Sequence, residues 1–279
     1  MLVLDIGGTF LKYAMTDVYG RVLAESVRQI PSEASNYEEF ADVLRQVIEA
    51  GKQAEKTEKA CVSIPGPFDF EHGISLMQHK FAAIYRRSIR PPFEDAGIEV
   101  TFLHDSTAFI LGEASDGSLA GRAAPCCVML GTGLGFAFMR DAHVCVNEQR
   151  TPAFTLWNMP WKQGIAEDYV STRAIQQLYG SVISIRSIAE AAYAGEQKAL
   201  EAFRRTGAEL SQILQTVIPK LGCDCLALGG QIAKSADLFE LDLPVPWFVS
   251  RHLDDAALRG AAFFATHGPG RCERLCSIV

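Results

Sequence analysis

Asp5-Ile6-Gly7-Gly8-Thr9 closes a short apolar run that begins at Met1, and the strand-like stretches Lys12 to Thr16 and Arg21 to Arg28 follow, with Gly20 between them. An apolar strand that ends in adjacent glycines and returns at once reads as the first hairpin of an antiparallel meander. Glycine lacks a Cβ, so such a turn can take up positive φ and bring backbone N–H groups close to an anion, while the threonine hydroxyl adds a donor. Asp5 stands just before the turn. A carboxylate there either holds a divalent cation through water beside phosphate oxygens or caps the turn.

Outward from that hairpin, Asn36 to Ala54 carries Phe40, Val43, Leu44, Val47 and Ile48 at helical spacing, and Lys59 to Ile64 reads as a buried strand stopped by Pro65-Gly66-Pro67. Pro91 to Ala96 suggests a short helix. Val100 to Leu103 forms a strand that delivers His104 and Asp105 at its carboxyl end, where Ser106 to Ala114 continues as helix. The second half repeats the outline. Cys126 to Leu130 is an apolar strand, Gly131-Thr132-Gly133 a turn and Gly135 to Met139 the return strand. Helical spacing then runs over Ala166 to Tyr179 and Ile185 to Leu221, a strand over Cys223 to Leu228 ends at Gly229-Gly230, and Asp254 to His267 is a last helix. The repetition points to a duplicated core. No long Pro, Ser or Gly linker divides the halves, so two packed lobes with a cleft at their junction are expected.

Composition narrows the function classes. The chain has 279 residues, 48% apolar, with 26 basic and 33 acidic side chains for a net charge of −7. This excludes a disordered polymer and gives no electrostatic footprint for a nucleic-acid backbone, so neither a nucleic-acid nor a membrane partner is expected. The eight cysteines lie mostly in apolar runs without a tight framework and read as reduced core thiols. With too short an apolar start for a signal peptide and no apolar run near the ~20 residues of a membrane helix, a cytoplasmic protein is expected.

Three glycine-bearing turns each follow an apolar strand: Asp5 to Thr9, Leu130 to Gly133 and Leu228 to Gly230. One such turn is ordinary punctuation; three, two of them with threonine, suggest phosphate loops. None has P-loop spacing, and Gly131-x-Gly133-x-Gly135 is not the dinucleotide fingerprint. Asp105, at a strand end, either accepts a hydroxyl proton as the base of a phosphoryl transfer or serves as a helix N-cap.

Asp5 to Thr9, Ser63 to Pro67, His104 to Ala108, Leu130 to Gly135, Leu228 to Gly230 and Asp254 to Ala261 resemble, in that order, the ROK family of bacterial sugar kinases and repressors. The resemblance implies an α/β, two-lobed actin/hexokinase-like (ribonuclease H-like) fold with a duplicated core and an interlobe cleft. Residues 1–104 plus 255–279 would form the N-terminal lobe and 105–254 the C-terminal lobe. It implies a glucokinase-like, ATP-dependent phosphorylation of a hexose or amino-sugar hydroxyl, in a homodimer. Asp105 would be the base and Asp5 the carboxylate associated with Mg2+ through water. Gly7, Gly8, Thr9, Lys12, Gly131, Thr132 and Gly133 would bind phosphates, and Gly229 and Gly230 would lie beneath the adenosine. Gly66, His104, Asn158 and Glu167 would join Asp105 in binding the sugar.

The pattern breaks in two places. His104 stands where the family has Asn, and the Glu-x-Gly-His acceptor segment is replaced by Thr155-Leu156-Trp157-Asn158. Asn158 can supply one hydrogen bond, but Thr155 has no carboxylate, which changes what hydroxyl pattern the site accepts. The cysteines of the zinc-binding members are missing from Pro160 to Glu167, so zinc is not expected. Cys223-x-Cys225 reads as core packing and Cys272-x3-Cys276 as neighbours on a helix. Phe154, Trp157 and Trp161 offer faces for a sugar ring or line the core. Arg86-Arg87-x-x-Arg90 is a solvated loop or closes over phosphates, and His72, His79, His143, His252 and His267 have no ligand-like spacing. An alternative to the kinase is a catalytically degenerate sugar- or nucleotide-binding regulator of the same fold; the repressor branch, which needs an N-terminal helix-turn-helix, is not expected.

Overall fold

A computed structural model describes residues 1–54, 57–78 and 80–277, so His79 lies outside the described residues. The first apolar run forms β1 (Leu2–Ile6) and returns as β2 (Phe10–Met15), with Asp5 opposite Lys12. Arg21 to Arg28 departs from the expected strand: Ala24–Ser26 is a 3-10 turn, and the strand β3 (Arg28–Pro31) starts only at its end. The amphipathic helix α1 (Tyr37–Ala54) buries Phe40, Leu44, Val47 and Ile48, and β4 (Lys59–Ile64) follows. The small hairpin β5 (Phe68–Asp69) and β6 (Ile74–Ser75) and the short helix α2 (Pro91–Asp95) lead to β7 (Glu99–His104) and α3 (Asp105–Asp116). These strands, apart from the small hairpin, form a sheet in the order β3-β2-β1-β4-β7.

The second half begins with β8 (Pro125–Leu130) and β9 (Leu134–Arg140), then β10 (His143–Val146). A hairpin of β11 (Pro160–Trp161) and β12 (Gly164–Ile165) precedes the helices α4 (Ala166–Tyr169), α5 (Thr172–Tyr179), α6 (Ile185–Tyr193) and α7 (Gln197–Leu221). Both long helical runs are thus interrupted. Ser171, with extended backbone, caps α5 by accepting the Ala174 N–H on its Oγ, and Gly195, at φ 88°, turns the chain between α6 and α7. Then come β13 (Cys225–Gly229), β14 (Trp247–Val249), α8 (Ala256–His267), α9 (Pro269–Cys272) and β15 (Glu273–Leu275).

Two compact units emerge: Met1–Ser115, His143–Ala153 and Asp255–Val279 in one, Asp116–Ala142 and Phe154–Asp254 in the other. The first unit takes in α3 as far as Ser115. Packing explains it. A Cβ on Gly112 would stand 2.0 Å from the Ala256 carbonyl oxygen, and one on Gly260 would stand 1.7 Å from that of Ala108. This glycine contact seats α3 on α8, which itself lies against β1 and β4. The expected duplication is visible in the strand order: β2-β1-β4-β7 in the first unit matches β9-β8-β13-β14 in the second. In each, the antiparallel hairpin is followed by parallel strands.

The cysteines need one correction. Cys145 and Cys276 form a disulfide, with Cα atoms 5.3 Å apart, so they are not reduced thiols. The chain past α9 is a strand, not a helix, and the parallel pairing of β10 with β15 brings Cys276 beside Cys145. Cys61, Cys126, Cys127, Cys223, Cys225 and Cys272 are buried and not disulfide-bonded. Next to the disulfide, Arg150 Nε lies 2.8 Å from Glu273 Oε2, and the Glu273 side chain is only 5% exposed. Burial raises the Glu273 pKa, against the pull of Arg150.

Candidate active site

The first unit carries its chemistry at the carboxyl ends of three adjacent parallel strands, where open α/β sheets bind ligands. In register, Asp5 near the end of β1 lies opposite Ser63 of β4, and Ile64 of β4 lies opposite His104 of β7. Asp5, Gly66, His104 and Asp105 are therefore brought to one edge by sheet topology. The turn after β1 is closed by Gly7 N–H donating to the Phe10 carbonyl (2.9 Å) and by Ser32 Oγ donating to the Gly7 carbonyl (2.7 Å). Gly7 N–H is thus occupied within the turn, and the exposed Gly8 and Thr9 are left to meet an anion. Positive φ is not what these residues need: among the glycines of the three turns only Gly230 has it, at 83°.

Asp5 and Asp105 differ in electrostatic setting. Burial pushes the Asp5 carboxyl from 3.8 up to about 6; the Ser63 hydroxyl, which donates to Oδ1 at 2.9 Å, and Lys12 oppose the rise, and the charge of Asp105 adds to it. Asp105 also feels burial, yet His104, Lys80 and the Ser106 N–H outweigh it and hold its carboxyl at about 2. Its Oδ1 accepts from Ser106 N–H at 2.6 Å and lies 3.0 Å from His104 Nδ1. Among the described residues Oδ2 has no donor, and the side chain is 39% exposed, so one oxygen is pinned at the start of α3 while the other can accept a hydroxyl. Asp105 is the first residue of α3, and its Oδ1 takes the N–H of the adjacent Ser106 and not that of a later residue, so it is no N-cap of the usual kind; Oδ2 is left for the base reading.

His104 is held on three sides. Its Nδ1 faces Asp105, its ring lies 6.0 Å from the Phe70 ring, and a Cβ on Gly66 would stand 3.2 Å from its Nε2. Gly66 is therefore where the chain passes the imidazole so closely that a side chain would press on it.

The second unit gathers the remaining turns. Gly229 pairs with Met129, and a Cβ on Gly230 would stand 2.2 Å from the Leu130 carbonyl oxygen, so the turns after β8 and β13 adjoin. The Gly131 carbonyl accepts from Thr172 N–H (2.8 Å), which ties the turn to the start of α5. Glu167, on α4, is no free surface acid: its Oε2 accepts from Leu134 N–H at 2.9 Å and crosses over Gly133. Its own N–H donates to the Trp157 carbonyl (3.2 Å), which brings the 155–158 segment alongside. There Thr155 Oγ1 donates to Asn158 Oδ1 at 2.6 Å.

Of the aromatic residues considered for sugar stacking, Phe154 packs edge-on to Phe136 and Trp161 Nε1 donates to Glu209 of α7 (2.8 Å); only Trp157 keeps an open face. The basic run is not simply solvated. Arg86 lies over Tyr85, Arg87 over Tyr37, and Arg90 over Phe102 while donating to the Val100 and Glu71 carbonyls.

A divalent cation fits the first unit in one respect. Asp5 is a carboxylate raised by burial and by a neighbouring negative charge, which an incoming cation would reverse. Among the described residues no three His, Cys, Asp or Glu side chains converge to hold a metal, so phosphate oxygens would supply most of its ligands.

A family model described as "ROK family" matches residues 1–148 and 161–267 and leaves out the stretch that contains Thr155 to Asn158. The chain is 26% identical over 298 aligned positions to an N-acetyl-D-glucosamine kinase of Photobacterium profundum, covering 93% of this chain and 97% of that one. Among solved structures it resembles a ROK family glucokinase from Streptomyces griseus in complex with glucose and AMPPNP, with a TM-score of 0.76 at 20% identity over 96% of this chain and 99% of that one. It also resembles a ROK family transcriptional regulator, a homolog of the E. coli MLC protein, with a TM-score of 0.80 at 20% identity over 95% of this chain and 77% of that one. The fold is that of the actin/hexokinase-like sugar kinases, and the chain belongs to the ROK family.

Proposed function

We propose that the protein is an ATP-dependent sugar kinase that transfers the γ-phosphoryl group of ATP to a hydroxyl of a hexose or amino sugar. The observation that carries this reading is Asp105: ionised, half-exposed, one oxygen pinned and one open, on the same sheet edge as Asp5 and the Gly7–Thr9 turn. The sugar oxygen attacks the γ-phosphorus with a lone pair. The bond from that phosphorus to the bridging oxygen breaks, its electrons staying on ADP, and the hydroxyl proton passes to Asp105 Oδ2. A carboxyl held at about 2 is a weak base, so Asp105 acts first by orienting the hydroxyl and takes the proton late, as a loose transfer allows.

Within the first unit Gly8 and Thr9 meet phosphate oxygens, Lys12 supports Asp5, and Gly66 and His104 contact the sugar. For Gly131 to Gly133, Gly229 and Gly230 the nucleotide role, and for Asn158 and Glu167 the sugar role, rest on family resemblance. Asp5 would hold Mg2+ through water; the ion, when bound, neutralises charge on the nucleotide phosphates. A cytoplasmic location follows from ATP as phosphoryl donor, and the homodimer rests on family resemblance.

ADP release measured against a panel of hexoses and N-acetylhexosamines tests the reading. Sugar-dependent ADP formation is expected, and Asp105→Asn should lower kcat by about 10²–10⁴-fold. The Thr155–Asn158 substitution favours a second reading, a binder without turnover: ligand would then raise the melting temperature with no ADP formed.

A further inference from the structure

The irregular stretch between β6 and α2 carries a cation outside every motif considered so far. Lys80 is exposed, and its stem lies across Gly8: a Cβ there would stand 2.8 Å from Lys80 Cε, 3.3 Å from Cγ and 3.5 Å from Cδ. The ammonium at the end of that stem also acts on Asp105. No described residue accepts a hydrogen bond from it. One side chain therefore spans from the phosphate-facing end of the first turn toward the carboxylate assigned as base.

Resting on the kinase reading above, we propose that Lys80 is a catalytic residue of the phosphoryl transfer, its ammonium binding a non-bridging oxygen of the transferred group. Three things are needed at the point of transfer: an acceptor for the hydroxyl proton, donors for the phosphate, and a positive charge that follows the group as it moves. Asp105 and the Gly8–Thr9 backbone supply the first two. Lys80 supplies the third, staying protonated throughout, while the oxygen–phosphorus bond to the sugar forms and the bond to the bridging oxygen breaks. A lysine suits this task because its charge sits on a flexible stem, able to follow a group that shifts between two oxygens. The arrangement also accounts for the second glycine of the turn: any side chain at Gly8 would displace the lysine stem.

Lys80→Met and Lys80→Arg in the full chain test the proposal, with the best sugar substrate of the wild type. Lys80→Met should lower kcat by about 10²–10³-fold with sugar KM changed less than about threefold, and Lys80→Arg should recover at least about tenfold of the loss. Calorimetry gives a readout independent of turnover: Lys80→Met should erase the preference for ATP over ADP while leaving ADP affinity within about twofold. A kcat within about threefold of wild type in Lys80→Met overturns the proposal. So does an equal loss in both variants with the ATP preference intact, because that marks a lysine that merely props the turn. If the wild type forms no ADP with any sugar, the kinase reading fails; the calorimetric comparison still decides whether Lys80 holds a terminal phosphate, and an unchanged preference refutes it.

Discussion

The hairpins β1–β2 and β8–β9 hold the same place in the same strand order, and both turn through glycines, yet their surroundings differ. In the first, a carboxylate precedes the turn: Asp5 faces Lys12 across the hairpin, and Lys80 crosses the second glycine. In the second, Met129 holds the position corresponding to Asp5, and the nearby carboxylate is Glu167, which comes from α4 and accepts the N–H of Leu134. One copy surrounds its turn with opposed charges. The other uses its acid to brace the turn, and a backbone contact at Gly230 to seat the next one. A glycine turn sets how near the backbone can come to a phosphate; on the kinase reading, the residue before it and the side chain over it supply the chemistry.

The sharpest way to break this comparison is at the brace. Gly230 combines φ 83° with a Cβ position 2.2 Å from the Leu130 carbonyl oxygen, so Gly230→Ala should cost about 3 kcal/mol or more. Gly131 has no atom within 4 Å of its Cβ position and no positive φ, and Gly131→Ala should stay within about 1 kcal/mol. Urea unfolding midpoints compare the two. Equal losses would mean the second turn is not held by backbone contact.

Asp5 supplies the next largest effect. Its folded carboxyl titrates at about 6 against an ordinary 3.8, so the native state binds the proton more tightly than the unfolded chain. Stability is unaffected below the unfolded value, falls as pH rises between the two, and carries the full penalty above 6, about 3 kcal/mol at most. Asp5→Asn should therefore stabilise the protein at pH 8 by about 1–3 kcal/mol, leave it unchanged near pH 3, and abolish activity. Asp105 has the opposite sign: held at about 2, it stabilises above its unfolded value and loses that contribution as pH falls through 2. Thermal melts of wild type and Asp5→Asn across pH decide it; an Asp5→Asn variant less stable at pH 8 contradicts the electrostatic contrast.

Much of the first unit was legible because its candidate residues sit at strand ends, where apolar runs stop at Gly, Pro or Asp and topology aligns the stops. Asp5 and Asp105 needed only that logic to be singled out, whereas Gly66 and His104 entered as sugar ligands through the family resemblance. Lys80 did not yield to it: the stretch around it has no period, and its contact with Gly8 depends on how the chain wraps back. The Cys145–Cys276 bond, with 131 residues between its ends, depends on β15, which local spacing near Cys272 suggested was helix. The breaks before α5 and α7 escaped because apolar periodicity carries across a Ser cap or a Gly turn. The packing of α3 on α8 was hidden for a similar reason: Gly112 and Gly260 look like ordinary helix glycines until the helices cross. Glu167 was readable as an acid at a helix start, but its bond to Leu134 was not.

Glu167 gives the smallest effect and the finest test of the comparison, because a brace and a sugar ligand make different demands on the same side chain. Gln retains a carbonyl oxygen to accept the Leu134 N–H, so Glu167→Gln should leave the turn and the fold within about 0.5 kcal/mol, whereas Glu167→Ala removes the acceptor and should cost about 1 kcal/mol. If Glu167 also contacts the sugar, exchanging a charge-assisted hydrogen bond for a neutral one weakens that contact by about 1 kcal/mol, and Glu167→Gln should raise sugar KM roughly fivefold with nucleotide KM unchanged. A sugar KM that does not move, together with a nucleotide KM that rises only in Glu167→Ala, would leave Glu167 as a brace alone. The second hairpin would then contribute nothing but backbone to the reaction, and the division of labour between the two copies would be complete.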